Sequence, residues 1–351
     1  MKFMKKVRIR QLLSVLLISL MAVAGCQTKP EPAAASQPET EPAVVSQTET
    51  EPTAVNLEML RYGGQLYPEE YLLKGQDFWS KYGLEVEHTL FSSGSENNQA
   101  LISGALDVNI GSDSKSVALF SVLEDEVIII AAAQRGDRYS TMVLADSGIT
   151  KWDDMVGMTV GIRLGTGAEQ VARRYLDSRD DLAWEDFEWV NLNVEDMAAA
   201  LANGSVVSFT AWEPTPAIAQ ETSDAVVMMS YGDIALTPVL IHTTRTYAAN
   251  HHDELVAFLR GHLDKLALIQ SDVDEAARIA AEAASASGAE VSPAVFKTIF
   301  ERVNFSLEVD DEVIASLADT AAFLVSLESV EKVPQFSVDT SFLEEAKELS
   351  K

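Results

Sequence analysis

Three short stretches combine hydroxyl side chains, glycines and the onset of a helical pattern: Ser92-Ser93-Gly94-Ser95, Gly111-Ser112-Asp113-Ser114 and Leu164-Gly165-Thr166-Gly167-Ala168. Each follows a strand-like run. A helix start leaves backbone N–H groups unpaired and carries roughly half a positive charge, so it can hold an anion. Glycine lets a ligand approach the backbone closely. The same Ser, Thr and Asp residues also serve as plain N-caps, and any one loop reads either way. The Gly-Thr-Gly loop is not a nucleotide fingerprint, because it lacks a third spaced glycine and a Gly-Lys-Ser ending. Arg163 just before it, and Arg135 or Arg138 upstream, are candidate cations, with surface pairing as their ordinary use.

Other chemistry is poorly supplied. The five histidines (His88, His242, His251, His252 and His262) include no His-Glu-x-x-His spacing, and no Gly-x-Ser-x-Gly elbow occurs. His251-His252 beside Asp253-Glu254 could collect a metal but reads as an exposed helix start. A single cysteine excludes a disulfide framework or a multi-cysteine zinc site within the chain. No enzymatic activity, metal or cofactor is expected. With 54 acidic against 26 basic residues the net charge is −28, which excludes a general grip on a phosphate backbone, so nucleic acid is not an expected partner. Hydrophobic residues at 47% are too many for a disordered chain, and 351 residues suffice for two lobes.

The loops need a scaffold, and the patterning supplies one. Strand-like runs are expected over 57–62 (ended by Gly63-Gly64), 84–90, 106–110, 127–133 and 141–145, then 158–163, 187–192, 206–210, 225–229 and 239–243. Helical patterns fall between them at 68–82, 95–103, 113–123, 168–176 and 194–202, and from His251 the chain is mostly helical. Strands alternating with helices argue for an α/β fold with largely parallel sheets covered on both faces, and two such cycles argue for two lobes.

The N-terminus carries a different signal. Residues 1–10 are basic, 12–24 are a short apolar run, and small residues precede Cys26. That order describes a secretory signal, and the run is too short to span a bilayer. The sequence around Cys26 resembles the bacterial lipobox, which implies cleavage of a signal peptide over 1–25 and lipid attachment to Cys26. Residues 26–55 then form a tether with five of the eleven prolines, no aromatic residue, and a ten-residue repeat beginning at Ser36 and Ser46. Such a composition favours extended chain rather than a core.

Six segments, in order, carry a family resemblance. They are 78–87 (FWSKYGLEVE), 99–108 (QALISGALDV), 148–161 (GITKWDDMVGMTVG), 165–168 (GTGA), 193–202 and 209–214 (FTAWEP). Together they resemble bacterial ABC-transporter substrate-binding proteins, in the subgroup for nitrate, aliphatic sulfonates, taurine and thiamine pyrimidine precursors. The resemblance runs from about residue 57 to 215.

It implies a type II periplasmic-binding-protein fold, two α/β lobes joined by two crossover strands that close like a hinge on a ligand. The crossovers are expected near 144–148 and 239–243, giving lobe one as 57–145 plus 244–351 and lobe two as 146–243. Carried over position by position, the cleft residues are Gln65, Tyr67, Ser93, Ser95, Asp113, Ser114, Thr166, Gly167, Ala168, Trp212 and Glu213. Trp212 would stack on or wall off the ligand. Glu213 would meet a ligand amine, cap the next helix or hold the hinge closed. Gly167→Val is expected to weaken binding more than stability. The implied function is extracytoplasmic capture of a small polar molecule (nitrate, a sulfonate such as taurine, or a pyrimidine-like compound) by a monomer. The implied partners are ABC permease and ATPase subunits and a bacterial membrane reached through the lipid anchor. The alternative is a tethered sensor of the same fold with no transport role.

Overall fold

The computed structural model describes residues 57–351 apart from residue 290. The expected signal peptide, Cys26 and the tether lie outside the described residues.

The first cycle runs β1 (Leu60–Gln65), α1 (Pro68–Gly75), β2 (Val86–Phe91), α2 (Gly94–Ile102), β3 (Val108–Ser112), α3 (Asp113–Leu123) and β4 (Val127–Gln134). The second runs β5 (Tyr139–Leu144), β6 (Thr159–Ile162), α4 (Gly167–Asp177), β7 (Glu188–Asn191), α5 (Val194–Ala202), β8 (Ser208–Trp212), α6 (Thr215–Thr222) and β9 (Ala225–Ser230). The return comprises β10 (Val239–Thr244), α7 (Arg245–Asn250), α8 (His252–Ser271), α9 (Val273–Ala286), α10 (Pro293–Arg302), α11 (Asp311–Ser326) and α12 (Ser341–Glu348). The expected α/β class holds.

Two five-stranded sheets result, ordered β2-β1-β3-β10-β4 and β7-β6-β8-β5-β9. In each, four strands run in one direction and one runs antiparallel between two of them: β10, which returns to the first sheet after the second is complete, lies between β3 and β4, and β5, the first strand to enter the second sheet, lies between β8 and β9. The chain therefore crosses between sheets within residues 135–138 and again within 231–238. This corrects the expected crossovers at 144–148 and 239–243. Strands β5 and β10 are interior members of their sheets with partners on both sides, so neither can act as a free link. Each sheet has an apolar cluster on both faces, which accounts for the unbroken apolar run of β4. The outer edge of β4 is covered by chain: the Ile129 N–H donates to the Ser337 carbonyl at 2.9 Å and the Ala132 N–H to the Leu307 carbonyl at 3.0 Å.

Two further expectations are corrected. Gly63-Gly64 does not end the first strand but lies inside β1, paired with Thr89 and Leu90. A Cβ on Gly63 would overlap Asn97 Oδ1 and Leu106. The glycine thus makes room for Asn97, whose Nδ2 donates to the Gly63 and Ile110 carbonyls, each at 2.9 Å. The helix expected over 68–82 stops at Gly75. Asp77 Oδ1 then accepts from the N–H groups of Trp79 (2.9 Å) and Ser80 (3.0 Å), starting a separate turn at Ser80–Tyr82 that ends on Gly83 at φ 76°.

The first sheet buries His242 completely between Asn109 Oδ1 (3.2 Å) and Ser116 Oγ (2.9 Å), and burial lowers its pKa from 6.5 to about 3. The unfolded imidazole therefore binds its proton at a higher pH than the folded one. Its stabilising contribution is whole above pH 6.5 and is lost as the pH falls toward 3, up to ~5 kcal/mol. We expect His242→Gln to be less stable than wild type at pH 7 yet to lose less on acidification to pH 4. Parallel pH–melting curves for the two proteins would exclude this.

Candidate functional site

A cleft of about 650 Å³ has walls from both sheets. The first sheet contributes Gln65 and Tyr67 beyond β1, residues 92–96 at the start of α2, and Ser112 and Lys115 at the start of α3. The second contributes Tyr139, residues 163–167 before α4, residues 193–196 at the start of α5, and Trp212 at the end of β8. Four helix starts converge here because every parallel strand of both sheets points its carboxyl end this way.

The loops are built as caps that leave polar groups facing the opening. Ser93 Oγ accepts the Ser95 N–H at 3.2 Å, and Thr166 Oγ1 accepts the Ala168 N–H at 3.3 Å. Thr166 Oγ1 also donates to the Arg163 carbonyl at 2.6 Å, and the Gly165 N–H donates to Glu169 Oε2 at 2.7 Å. Gln65 is fixed by its Nε2 donating to the Ile110 carbonyl at 2.8 Å. Trp212 packs against apolar clusters of both lobes and meets Tyr139 edge-on at 6.2 Å.

Lys115 is the electrostatic centre. Its Nζ reaches across the cleft, donating to Ser95 Oγ at 3.2 Å and to the Gly165 carbonyl at 3.3 Å, one from each wall. Both bonds are long and both acceptors are neutral. Burial, and secondarily Arg163, hold its pKa below the ordinary lysine value. Among the described residues neither Lys115 nor Arg163 pairs with a carboxylate, although the chain has twice as many acids as bases. Glu96, Glu195 and Asp196 line the same cleft, so it carries both signs.

Behind it, Arg138 plugs the junction between the sheets. Its guanidinium lies 5.6 Å from the Tyr67 ring centre and 4.5 Å from that of Tyr139. Its Nε donates to the Thr237 carbonyl at 2.9 Å and its Nη2 to the Tyr139 hydroxyl at 3.0 Å. Gly136, Asp137 and Thr237 in these crossovers have φ of 66°, 45° and 43°, a conformation that costs a β-branched residue most.

Gln65, Tyr67, Ser93, Ser95, Thr166, Gly167 and Trp212 line the cleft, whereas Asp113, Ser114, Ala168 and Glu213 do not. Asp113 is buried and its Oδ2 accepts from Thr320 Oγ1 on α11 (2.7 Å) and from Gln170 Nε2 on α4 (3.3 Å), tying the two lobes. Ser114 turns inward, its Oγ 3.2 Å from that of Ser112. Ala168 belongs to the core of the second lobe. Glu213 accepts the Ala217 N–H at 3.2 Å as a cap of α6 and forms an ion pair with Arg302 of α10. The caps point along their helices rather than outward, and sequence spacing alone does not distinguish the two.

Lys115, Tyr139, Glu96 and residues 193–196 were not among the expected site residues. Lys115 did carry a signal, since a cation in the first turn of a helix opposes the macrodipole and needs a reason to be there. For Gly167 the structure changes the expected outcome: a Cβ there would overlap the Tyr139 hydroxyl rather than block a ligand. We therefore expect Gly167→Val to destabilise the ligand-free protein by about 1–3 kcal/mol through overpacking, read as a lower melting temperature. An unchanged melting temperature would exclude that contact.

A family model described as NMT1/THI5 like matches residues 69–276. A candidate binding protein of Brucella abortus is 26% identical over 137 residues, 39% of this chain; the match spans 41% of that relative's length. The periplasmic aliphatic sulphonate binding protein of Escherichia coli superposes with a TM-score of 0.69 at 20% identity, covering 79% of this chain and 90% of that one. A desulfurization enzyme superposes at 0.62 and 14% identity, covering 84% of this chain and all of its own. The fold is thus that of periplasmic binding proteins, and it also serves an enzyme.

Proposed function

The chain belongs to the NMT1/THI5-like family, and from that premise we propose that it is the extracytoplasmic solute-binding component of an ABC importer. Its solute is a small organic anion or zwitterion of the sulfonate type, held between the two lobes. The observation that carries this reading is Lys115, a half-buried lysine whose ammonium spans the cleft with only neutral acceptors, beside an Arg163 that likewise pairs with no carboxylate among the described residues. An anion placed there gains charge-assisted bonds from Lys115 and from the Ser93, Ser95 and Thr166 hydroxyls. Glu195 and Asp196 on the other wall suit an ammonium at the far end of the solute, as taurine would present. Because such a ligand touches both lobes it stabilises only the closed form, and closure follows as a population shift. Secretion and lipid attachment at Cys26 belong to the same proposal.

The test is thermal shift of the purified full chain, stripped of bound ligand by partial unfolding. The probes are taurine, methanesulfonate, longer alkanesulfonates, nitrate and an aminopyrimidine. A ligand that binds only the native state raises the melting point with its concentration. Shifts with sulfonates are expected. A shift confined to the uncharged aminopyrimidine would overturn the anion site while leaving the two-lobed binding role.

A further inference from the structure

The cleft continues past Lys115. A second cavity of about 350 Å³ lies between α3, α4 and α11, and Lys115, Gly165 and Thr166 line both spaces. Its outer wall is apolar: Phe323 and Leu324 from α11, Leu327 at the end of that helix, and Val330 in the turn beyond. Leu327 remains 38% exposed. On the opposite wall Arg173 and Glu169 are closed on each other at 2.8 Å, and the Arg173 guanidinium also lies 3.7 Å from the Trp184 ring centre. That arginine is already engaged, so beyond Lys115 at its mouth the furrow offers apolar surface and no second free cation among its lining residues.

The partition between the two spaces is the Lys115 side chain with its bond to the Gly165 carbonyl. At 3.3 Å to a neutral acceptor this bond is weak. An anion in the cleft would draw the ammonium off Gly165, and the lysine's methylene stem would then form an apolar threshold to the furrow. We propose that the furrow beneath α11 receives an apolar arm of the solute whose anionic end is held at Lys115. This rests on the anion-binding reading above and narrows it to anions that carry a hydrocarbon arm. Recognition is then split: charge and hydroxyls fix the head, and the furrow selects by arm length.

The test is calorimetry on the full chain with the unbranched series from methanesulfonate to octanesulfonate. Affinity should rise roughly two- to fourfold with each methylene that enters the furrow, then level off when it is full. Two variants probe the furrow from its partly exposed side, Ala118→Phe, which fills the floor, and Leu327→Glu, which charges the wall. Either should erase the advantage of long arms while leaving methanesulfonate affinity within about twofold of wild type; should one variant melt early, the other decides. Methanesulfonate binding with no gain along the series, or a gain untouched in both variants, would overturn the furrow alone. Failure of every sulfonate to bind would overturn the anion reading and the furrow with it.

Discussion

Lys115→Met is expected to weaken sulfonate binding about a hundredfold or more while leaving the melting temperature unchanged or higher. Methionine keeps the length and apolar stem of lysine, so packing beneath α2 is preserved. What disappears is the one ammonium that reaches both walls, to Ser95 Oγ and the Gly165 carbonyl. In the ligand-free protein this charge is a burden, because burial disfavours its protonated form and Arg163 repels it. Removing it should cost the fold nothing. In the complex it is the counter-ion of the solute, and losing a buried charged partner typically costs ~2–5 kcal/mol of binding. The two readouts separate a ligand-binding lysine from a structural one. Calorimetry with ethanesulfonate giving an affinity within threefold of wild type would remove Lys115 from the site.

Arg302→Met should be the most destabilising single change at the junction of the lobes. Glu213 is buried, and burial pushes its carboxyl pKa up, with the Arg302 guanidinium as the main opposing influence. Without Arg302 the carboxylate is stranded. Breaking a buried pair costs roughly 3–5 kcal/mol; with a quarter of the arginine exposed we expect about 2–3 kcal/mol at pH 7. The loss should depend on pH. A carboxyl whose folded pKa lies above its unfolded value of 4.5 binds more protons folded than unfolded. It therefore contributes stability at low pH and loses it as the pH rises through that raised value. Relative to wild type, in which the buried His242 and His262 act the other way and Glu69 acts the same way, the variant should recover part of its lost stability on acidification from pH 7 to pH 5. Glu213→Gln combined with Arg302→Met should be more stable at pH 7 than Arg302→Met alone. Equal stability of the single and double variants would show that Glu213 carries no uncompensated charge.

Much of the architecture was legible because strand and helix periods are local. Val127 to Gln134 announces a covered strand by having no polar residue until its end, and α3 and α5 fall where their patterns begin and stop. The errors share a cause. Gly63-Gly64 reads as a break because nothing nearby in sequence says that Asn97, 34 residues on, needs the space. The crossovers were misplaced because β5 and β10 look like any other apolar strand; only their partners reveal which sheet each completes.

By itself the sequence determined the α/β alternation, the helix-start loops that turned out to line a cleft, and the family to which the segments belong. These follow from short-range rules, in which side-chain period, glycine and cap chemistry act within a few residues. Only the tertiary structure decided which polar residues face the opening. Asp113 and Glu213 were spent on ties between lobes, with Gln170 and Arg302 supplied from 57 and 89 residues away. Lys115 was left facing Ser95 and Gly165, with no carboxylate partner among the described residues. Whether a charge is a tie or a binding group depends on where its counter-charge lies in space, and that is settled when the two sheets come together.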